Sequence, residues 1–161
     1  MDMRKLGRSG LSVSPLCLGT MMFGDRTDEK EARRIIDHAR DAGVNFIDTA
    51  DQYAMGKAEE IVGRAVAKDR DAWVIATKAG NLVNDTHANN HGLSRKWLLK
   101  AMDDSLSRLK LDFVDIWYLH LDDYTTPLEE AVSAVADVLG QGKALYWGVS
   151  NFRAWRICEL V

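Results

Sequence analysis

The alternation of apolar segments with helical patterns is the feature that most constrains the fold of this chain. Four segments are as rich in β-branched and aromatic residues as buried strands are. They lie within residues 45–53, 73–78, 113–120 and 145–151. A helical pattern follows each segment. Strands that alternate with helices form parallel sheets, so we expect the carboxyl ends of all four strands to open on one face.

Each of these segments ends on polar side chains. Asp48, Lys78, His120 and Ser150 stand at the four ends, spaced 30, 42 and 30 residues apart, and Tyr53 follows the first of them. This spacing suits consecutive βαβ units. Because side chains at the carboxyl ends of parallel strands converge, we expect these groups to share one site.

The remaining elements complete a repeating order. Residues 3–6 and 11–14 flank a glycine-containing turn and predict a small hairpin, and residues 16–22 predict a first strand of the parallel sheet. Asp28 or Thr27 is expected to cap the next helix, and Ser94 a later one. Thr126-Pro127-Leu128-Glu129 predicts a further helix start through a capping box with proline at its first position.

Two architectures are compatible with a hairpin followed by five strand–helix units. An open doubly wound sheet expects a glycine-rich phosphate turn after its first strand, which residues 19–24 lack. A complete (β/α)8 TIM barrel needs roughly 200 to 250 residues or more. The 161 residues of this chain therefore predict about the first five βα units of a TIM barrel with an N-terminal β-hairpin. We expect residues 1–161 to form a single α/β domain.

Composition excludes several classes of protein. A net charge of −3 gives no electrostatic reason to bind nucleic acid or an anionic membrane surface. The apolar runs are strand-sized, which predicts no membrane span, and the N-terminus lacks the apolar core of a signal peptide. Cys17 and Cys158 have no metal-type or CxxC spacing, so we expect buried free thiols in a reducing compartment. A cytoplasmic protein is the resulting prediction.

One long polar loop is predicted beside the site, over residues 79–93. A loop of this length in a compact domain is usually functional or mobile. His87 and His91 within it have helical spacing, but no third ligand is nearby. A solvated loop is therefore favoured over a metal site, and we predict no metal.

The residue types at the strand ends define a chemistry. A phenol is a weak acid, with an ordinary pKa of about 10, and a neighbouring ammonium favours its ionised form. A buried lysine in turn needs a carboxylate partner, for which Asp48 is the candidate. Together Asp48, Tyr53, Lys78 and His120 would form a proton relay aimed at a carbonyl or alcohol oxygen. Taken singly, each has a structural interpretation, as a cap, a packing residue, a solvent-reaching lysine or a core histidine.

The sequence resembles the aldo-keto reductase superfamily, in its N-terminal portion. The resemblance extends through essentially the whole chain, in the right order and spacing. It rests on Phe46-Ile47-Asp48-Thr49-Ala50 with Tyr53, on Ala76-Thr77-Lys78, on Tyr118-Leu119-His120 and on Gly148-Val149-Ser150-Asn151. The opening Leu6-Gly7-Arg8-Ser9-Gly10-Leu11 and Leu18-Gly19-Thr20 add to it.

The resemblance implies an NADPH-dependent reduction of aldehydes or ketones to alcohols. Tyr53 would act as the general acid while hydride reaches the carbonyl carbon from the nicotinamide. Lys78, paired with Asp48, would assist the phenol, and His120 would orient the carbonyl oxygen. The residues implied in cofactor binding are Gly19, Thr20, Met21, Asp48, Ser150 and Asn151. The substrate within the class of small carbonyl compounds does not follow from the sequence.

The chain departs from the family pattern in lacking three further strands. The glutamine and aromatic residue at the nicotinamide, and the basic residues at the adenosine phosphates, belong to that part. Its open barrel edges predict a capacity for self-association. Besides the reductase, we therefore keep two alternatives: an inactive fragment, and a non-catalytic regulatory or binding subunit such as the channel-associated members of the family. A metal-dependent hydrolase is less favoured because paired strand-end histidines are lacking.

Overall fold

The structure, a computed structural model, describes residues 1–83 and 87–160. Residues 84–86 of the predicted loop and residue 161 of the predicted domain lie outside the described residues. The chain begins with an antiparallel hairpin of strands β1 (Arg4–Lys5) and β2 (Ser12–Val13). Arg4 lies opposite Val13, so the predicted hairpin is present with shorter strands.

A parallel sheet follows, with a helix after each strand. Its strands are β3 (Leu18–Gly19), β4 (Phe46–Asp48), β5 (Val74–Ala79), β6 (Val114–Leu119) and β7 (Ala144–Val149). The helices are α1 (Glu29–Asp41), α2 (Lys57–Val66), α3 (Arg95–Leu109), α4 (Leu128–Gly140) and α5 (Ala154–Cys158). In the described part of the chain this sheet has five strands, in the order β3-β4-β5-β6-β7. Strands that are sequential neighbours are therefore spatial neighbours, as successive units of a barrel require.

Local sequence explains where the helices begin. The Asp28 carboxylate accepts the backbone N–H of Glu31 at 2.9 Å, and the Ser94 hydroxyl accepts that of Trp97 at 3.3 Å, as predicted for helix caps. The capping box predicted at Thr126 is wrong. Pro127 precedes the helix instead of starting it, and the Thr126 hydroxyl donates to the Asp123 carboxylate at 2.5 Å because this loop supplies a stronger acceptor.

The sheet has an apolar core on each face. Its outer face packs against the helices through fully buried residues such as Ile47, Ile75 and Trp117. On its inner face the hairpin residue Val13 packs against side chains of the strands. We call this second group the inner apolar cluster; it comprises Val13, Val74, Ala76 and Ile116, with Leu6, Leu11, Phe46, Tyr118 and Tyr146 packed against them. The alternation of side chains along each strand separates the two cores.

Within the described ranges β3 and β7 form the two edges of the parallel sheet, and self-association through them stays a prediction.

Cys17 and Cys158 are exposed, so the prediction of buried thiols is wrong. Cys158 ends a short helix, α5, that buries none of its residues, and this explains its exposure. Among residues 1–83 and 87–160, no helix combines the length and the apolar character that a membrane crossing requires.

Candidate active site

Lys78 is the centre of the candidate site, near the carboxyl end of β5. Its ammonium donates hydrogen bonds to the Asp48 carboxylate at 2.5 Å, to the Thr49 carbonyl at 2.8 Å and to the Tyr53 hydroxyl at 3.2 Å. The side chain is 8% exposed. An ammonium has three donors, and these three oxygens satisfy all of them, which offsets the desolvation of a buried charge. The position of Lys78 is therefore tightly specified.

Tyr53 reaches this ammonium through an unusual turn after β4. Ala54 and Met55 have left-handed backbone angles, with φ of 49° and 54°, and Gly56 follows with φ of 89°. Two successive non-glycine residues in this region are uncommon and cost about 1–3 kcal/mol each. The turn brings the Tyr53 ring to 4.8 Å from the Lys78 ammonium, measured at the ring centroid. Backbone strain thus accompanies the placement of the phenol.

His120 lies beside the phenol, immediately after β6. Its ring centroid is 5.8 Å from that of Tyr53, with the planes at 79° in an edge-on arrangement. The backbone N–H of His120 donates to the Ala79 carbonyl at 2.8 Å, which fixes the strand end. Burial, and secondly the Lys78 ammonium, lower the pKa of His120. The imidazole is therefore neutral at neutral pH and can donate one N–H to a substrate oxygen.

The residues predicted for the cofactor form two groups on the same edge of the sheet, and the first group lies at or just after the ends of β3 and β4. Gly19 is in register with Asp48, and both the amide and the hydroxyl of Thr20 donate to the Asp48 carbonyl, at 3.0 and 3.1 Å. Thr20 is fully buried, while Met21 is 55% exposed. The Thr20 hydroxyl therefore links the chain after β3 to the backbone of Asp48 at the end of β4.

Ser150 and Asn151 occupy the opposite side, after β7. The Asn151 side-chain amide donates to the His120 carbonyl at 2.9 Å and to the Ser150 hydroxyl at 3.1 Å. Asn151 has a left-handed φ of 59°, a conformation that asparagine tolerates better than most residues. These contacts join the end of β7 to the histidine. All the predicted site residues therefore lie along one edge of the sheet, with Asp48, Lys78 and Tyr53 in direct contact.

Sequence reasoning missed several groups at this edge. The Thr49 carbonyl that accepts from Lys78 is a backbone atom and leaves no residue-type signal. On the inner face, Tyr118 packs against Gly148, where a Cβ would lie 2.8 Å from the Tyr118 ring. Burial, and secondly Asp48, raise the pKa of Tyr118. A glycine in a strand could have indicated this close approach.

A second polar group missed by the sequence analysis lies behind the site. Asp51 is 1% exposed, and among the described residues its carboxylate has no side-chain hydrogen-bond partner, although the backbone N–H of Gln52 interacts with it. Burial, reinforced by Glu59, raises the pKa of Asp51 to about 8. Glu59 itself is fully buried and accepts from Thr77 and Arg108. Buried carboxyl groups of this kind point to a constraint other than packing.

Comparisons with known proteins place the chain in a family. A family model described as "Aldo/keto reductase family" matches residues 15–161. The chain belongs to the aldo/keto reductase family. A solved structure, aldo-keto reductase AKR11C1 from Bacillus halodurans in its holo form, superposes with a TM-score of 0.89 and 36% sequence identity. The predicted fold is confirmed: the hairpin and the five-stranded sheet match the corresponding part of an aldo-keto reductase TIM barrel.

Two curated relatives carry a different kind of name. Proteins from Oryza sativa subsp. japonica and Arabidopsis thaliana are each 44% identical over 163 residues. Each is named "Probable voltage-gated potassium channel subunit beta". The alignments cover 99% of this chain and 49% of each relative, and the Bacillus superposition covers 99% and 53%. The chain thus spans about half the length of these relatives.

Proposed function

We propose that this chain carries the proton-transfer site of an NADPH-dependent reductase of aldehydes and ketones. One observation supports the proposal above the others: the Lys78 ammonium lies between the Asp48 carboxylate, at 2.5 Å, and the Tyr53 hydroxyl, at 3.2 Å. An ammonium at this position can stabilise the phenolate that is left when the hydroxyl has transferred its proton to a substrate. Membership of the aldo/keto reductase family supports oxidoreductase chemistry in general.

In the proposed mechanism Tyr53 donates its phenolic proton to the carbonyl oxygen of the substrate. NADPH, when bound, supplies the hydride that reaches the carbonyl carbon. Lys78 stabilises the resulting phenolate, while Asp48 and the Thr49 carbonyl keep the ammonium in place. The neutral His120 imidazole donates an N–H to the same oxygen and orients it. The product is the alcohol, and the phenolate regains a proton from solvent.

The chemistry of the residues after β7 fits a nicotinamide. Its carboxamide needs both a donor and an acceptor, and the Ser150 hydroxyl together with the Asn151 carboxamide supplies both. Asn151 is held by the His120 carbonyl, so the group that would position the cofactor is joined to the group that would orient the substrate. At Gly19 an added Cβ would meet open space, which leaves this side of the site accessible. We propose Gly19, Thr20, Met21, Asp48, Ser150 and Asn151 as the cofactor contacts within this chain.

The reductase proposal is tested with Tyr53→Phe, which keeps the ring and removes the acidic proton. We expect purified protein to consume NADPH in the presence of a simple aldehyde, and the variant to lose about 10²–10⁴-fold in kcat. Tyr146→Phe is the matched control, because Tyr146 belongs to the inner apolar cluster away from the proton relay. Undiminished turnover in Tyr53→Phe would refute the assigned acid.

The names of the two plant relatives favour a second candidate function, that of a regulatory subunit of a potassium channel. In that case the site would bind nucleotide as a sensor, and binding would change association with a channel. The two functions separate by experiment. Nucleotide binding, followed by NADPH fluorescence, without turnover of a panel of aldehydes and ketones would favour the subunit. Turnover that is lost in Tyr53→Phe would favour the reductase.

A further inference from the structure

An ion pair behind the site, between a fully buried carboxylate and an arginine side chain that is 23% exposed, connects the two elements that carry Tyr53 and Lys78. We propose that Glu59 and Arg108 are positioning residues, which hold the Tyr53 phenol at hydrogen-bond distance from the Lys78 ammonium. Among the described residues, neither side chain forms a hydrogen bond or ion pair with Tyr53 or Lys78. The catalytic consequence of this inference rests on the proposed reductase function, whereas the positioning itself does not.

Glu59 is the centre of this ion pair and lies in the first turn of α2. Its side chain is 0% exposed, and its two carboxylate oxygens accept different donors. One accepts the Thr77 hydroxyl at 2.5 Å and the other accepts the Arg108 Nε at 2.6 Å. Helix α2, helix α3 and strand β5 are therefore joined through one carboxylate. A further bond from the Arg108 guanidinium to the Ser105 hydroxyl, at 3.1 Å, fixes the arginine on α3.

The first connection to the site passes through Thr77. Thr77 immediately precedes Lys78 in β5, and its side chain points to the outer face while that of Lys78 points to the inner face. The backbone of this strand end is held a second time, because the Asp51 amide donates to the Lys78 carbonyl at 3.1 Å. The Thr77–Glu59 bond thus fixes the rotation of the strand from which Lys78 projects.

The second connection passes through the turn that presents Tyr53. Gly56 ends this turn, and an added Cβ there would lie 2.5 Å from Cδ and 2.9 Å from Nε of Arg108. The arginine side chain therefore lies directly against the backbone of the strained turn. Ala54 and Met55 keep left-handed angles only if the surroundings determine them, and Arg108 is one wall of those surroundings.

Stability alone does not account for these residue types. A buried ion pair is on average no more stabilising than apolar residues of the same volume, because desolvation of both charges opposes their attraction. The pair does fix how its two side chains are oriented relative to each other, because a guanidinium and a carboxylate form hydrogen bonds only within a narrow range of angles. A network that ends on Thr77 on one side and on Gly56 on the other sets the relative position of Lys78 and Tyr53.

The experiment follows the environment of the Tyr53 phenol, which changes when its hydrogen bond to the Lys78 ammonium changes. The protein is labelled with ¹³C at the ζ carbons of its four tyrosines, and the Tyr53 signal is assigned with Tyr53→Phe. Glu59→Gln and Arg108→Gln are compared with Arg64→Gln. Arg64 is a matched control because it lies on α2 and pairs with Glu29 through Nε at 2.8 Å, but it contacts neither the turn nor β5. Arg108→Lys keeps the charge and tests for partial rescue.

We expect the ¹³C chemical shift of Tyr53 to change in Glu59→Gln and Arg108→Gln. It should change less in Arg108→Lys and stay the same in Arg64→Gln. In turnover assays we expect kcat to fall about 10²-fold in the first two variants, with KM for the carbonyl nearly unchanged. An unmoved Tyr53 signal in folded Glu59→Gln, the isosteric variant, would overturn the proposal. A moved signal in a protein without any reductase activity would refute the proposed function and leave the positioning intact.

Discussion

The inner face of the sheet has two regions of opposite character on the same strands. The inner apolar cluster holds aliphatic and aromatic side chains, covered by the hairpin through Val13. At the carboxyl edge, Lys78 and Asp48 place charges beside Tyr53 and His120. Two residues along β5 are enough to pass from one to the other, since Ala76 belongs to the cluster and Lys78 to the edge.

This difference separates the contributions of the two regions. Burial of apolar surface in the cluster stabilises the fold by about 25 cal/mol per Å². At the edge, desolvation of the charges opposes folding, and their hydrogen bonds offset part of that cost. We therefore expect substitutions at the edge to reduce activity with little loss of stability, and substitutions in the cluster to do the reverse.

The largest effect on activity is expected from Lys78→Met. This change removes the donor to the Tyr53 hydroxyl while it keeps a side chain of similar length. We expect kcat to fall about 10²–10⁴-fold, measured as NADPH consumption with an aldehyde. The fold should persist, because the Asp48 side chain is 28% exposed and can be hydrated. Loss of cooperative thermal unfolding in this variant would contradict the assignment of the edge to function.

The reverse pattern is expected from Ile116→Ala in the inner apolar cluster. Ile116 is 2% exposed, and its truncation leaves a cavity. We expect the free energy of unfolding, measured with urea, to fall by about 2–5 kcal/mol. Turnover by the folded fraction should stay close to that of the unchanged protein. A loss of kcat as large as that of Lys78→Met would show that the two regions are not separable.

Asp51 behind the edge predicts a dependence of stability on pH. Because its pKa is raised from 3.8 to about 8 in the folded state, the unfolded chain releases this proton first as pH rises. The contribution of Asp51 to stability is therefore lost progressively from about pH 4 to about pH 8. Among the charged groups around Asp51, Glu59 raises its pKa, whereas Arg108 and Lys78 lower it.

Asp51→Asn removes the titrating group and keeps the shape. We expect the stability of the variant relative to the unchanged protein to increase from about pH 4 to about pH 8, by up to about 5 kcal/mol at about 1.4 kcal/mol per unit of pKa difference. Thermal unfolding at a series of pH values measures the difference. A constant difference between the two proteins across this range would contradict the raised pKa.

The smallest effect is expected from the exposed ion pair of Arg64 with Glu29. Both side chains are more than a third exposed, at 37% and 48%, so water competes with the pair and salt screens it. Arg64→Gln should lower the free energy of unfolding by about 0–1 kcal/mol and leave turnover unchanged. A larger loss in urea denaturation would indicate that this pair also fixes the packing of α1 against α2.

Much of this architecture could be predicted from the sequence. Apolar periodicity located the hairpin, the strands and the helices, because side-chain burial repeats every two residues in a strand and about every 3.6 in a helix. The polar residues that end the strands marked the edge of the sheet on which the candidate site lies. Errors arose where a local pattern had competitors. The Thr126 hydroxyl binds Asp123 and not the helix start, and Cys17 and Cys158 are exposed.

The order of elements, the parallel sheet and the identity of the strand-end residues were therefore determined by the sequence itself, through patterns that each segment carries locally. Only the tertiary structure decided that Lys78 meets the Thr49 carbonyl, that Tyr53 turns back through left-handed Ala54 and Met55, and that Arg108 lies against Gly56. These contacts join residues up to about fifty positions apart. They depend on strand register, backbone angles and helix packing, which no local pattern of residue types encodes.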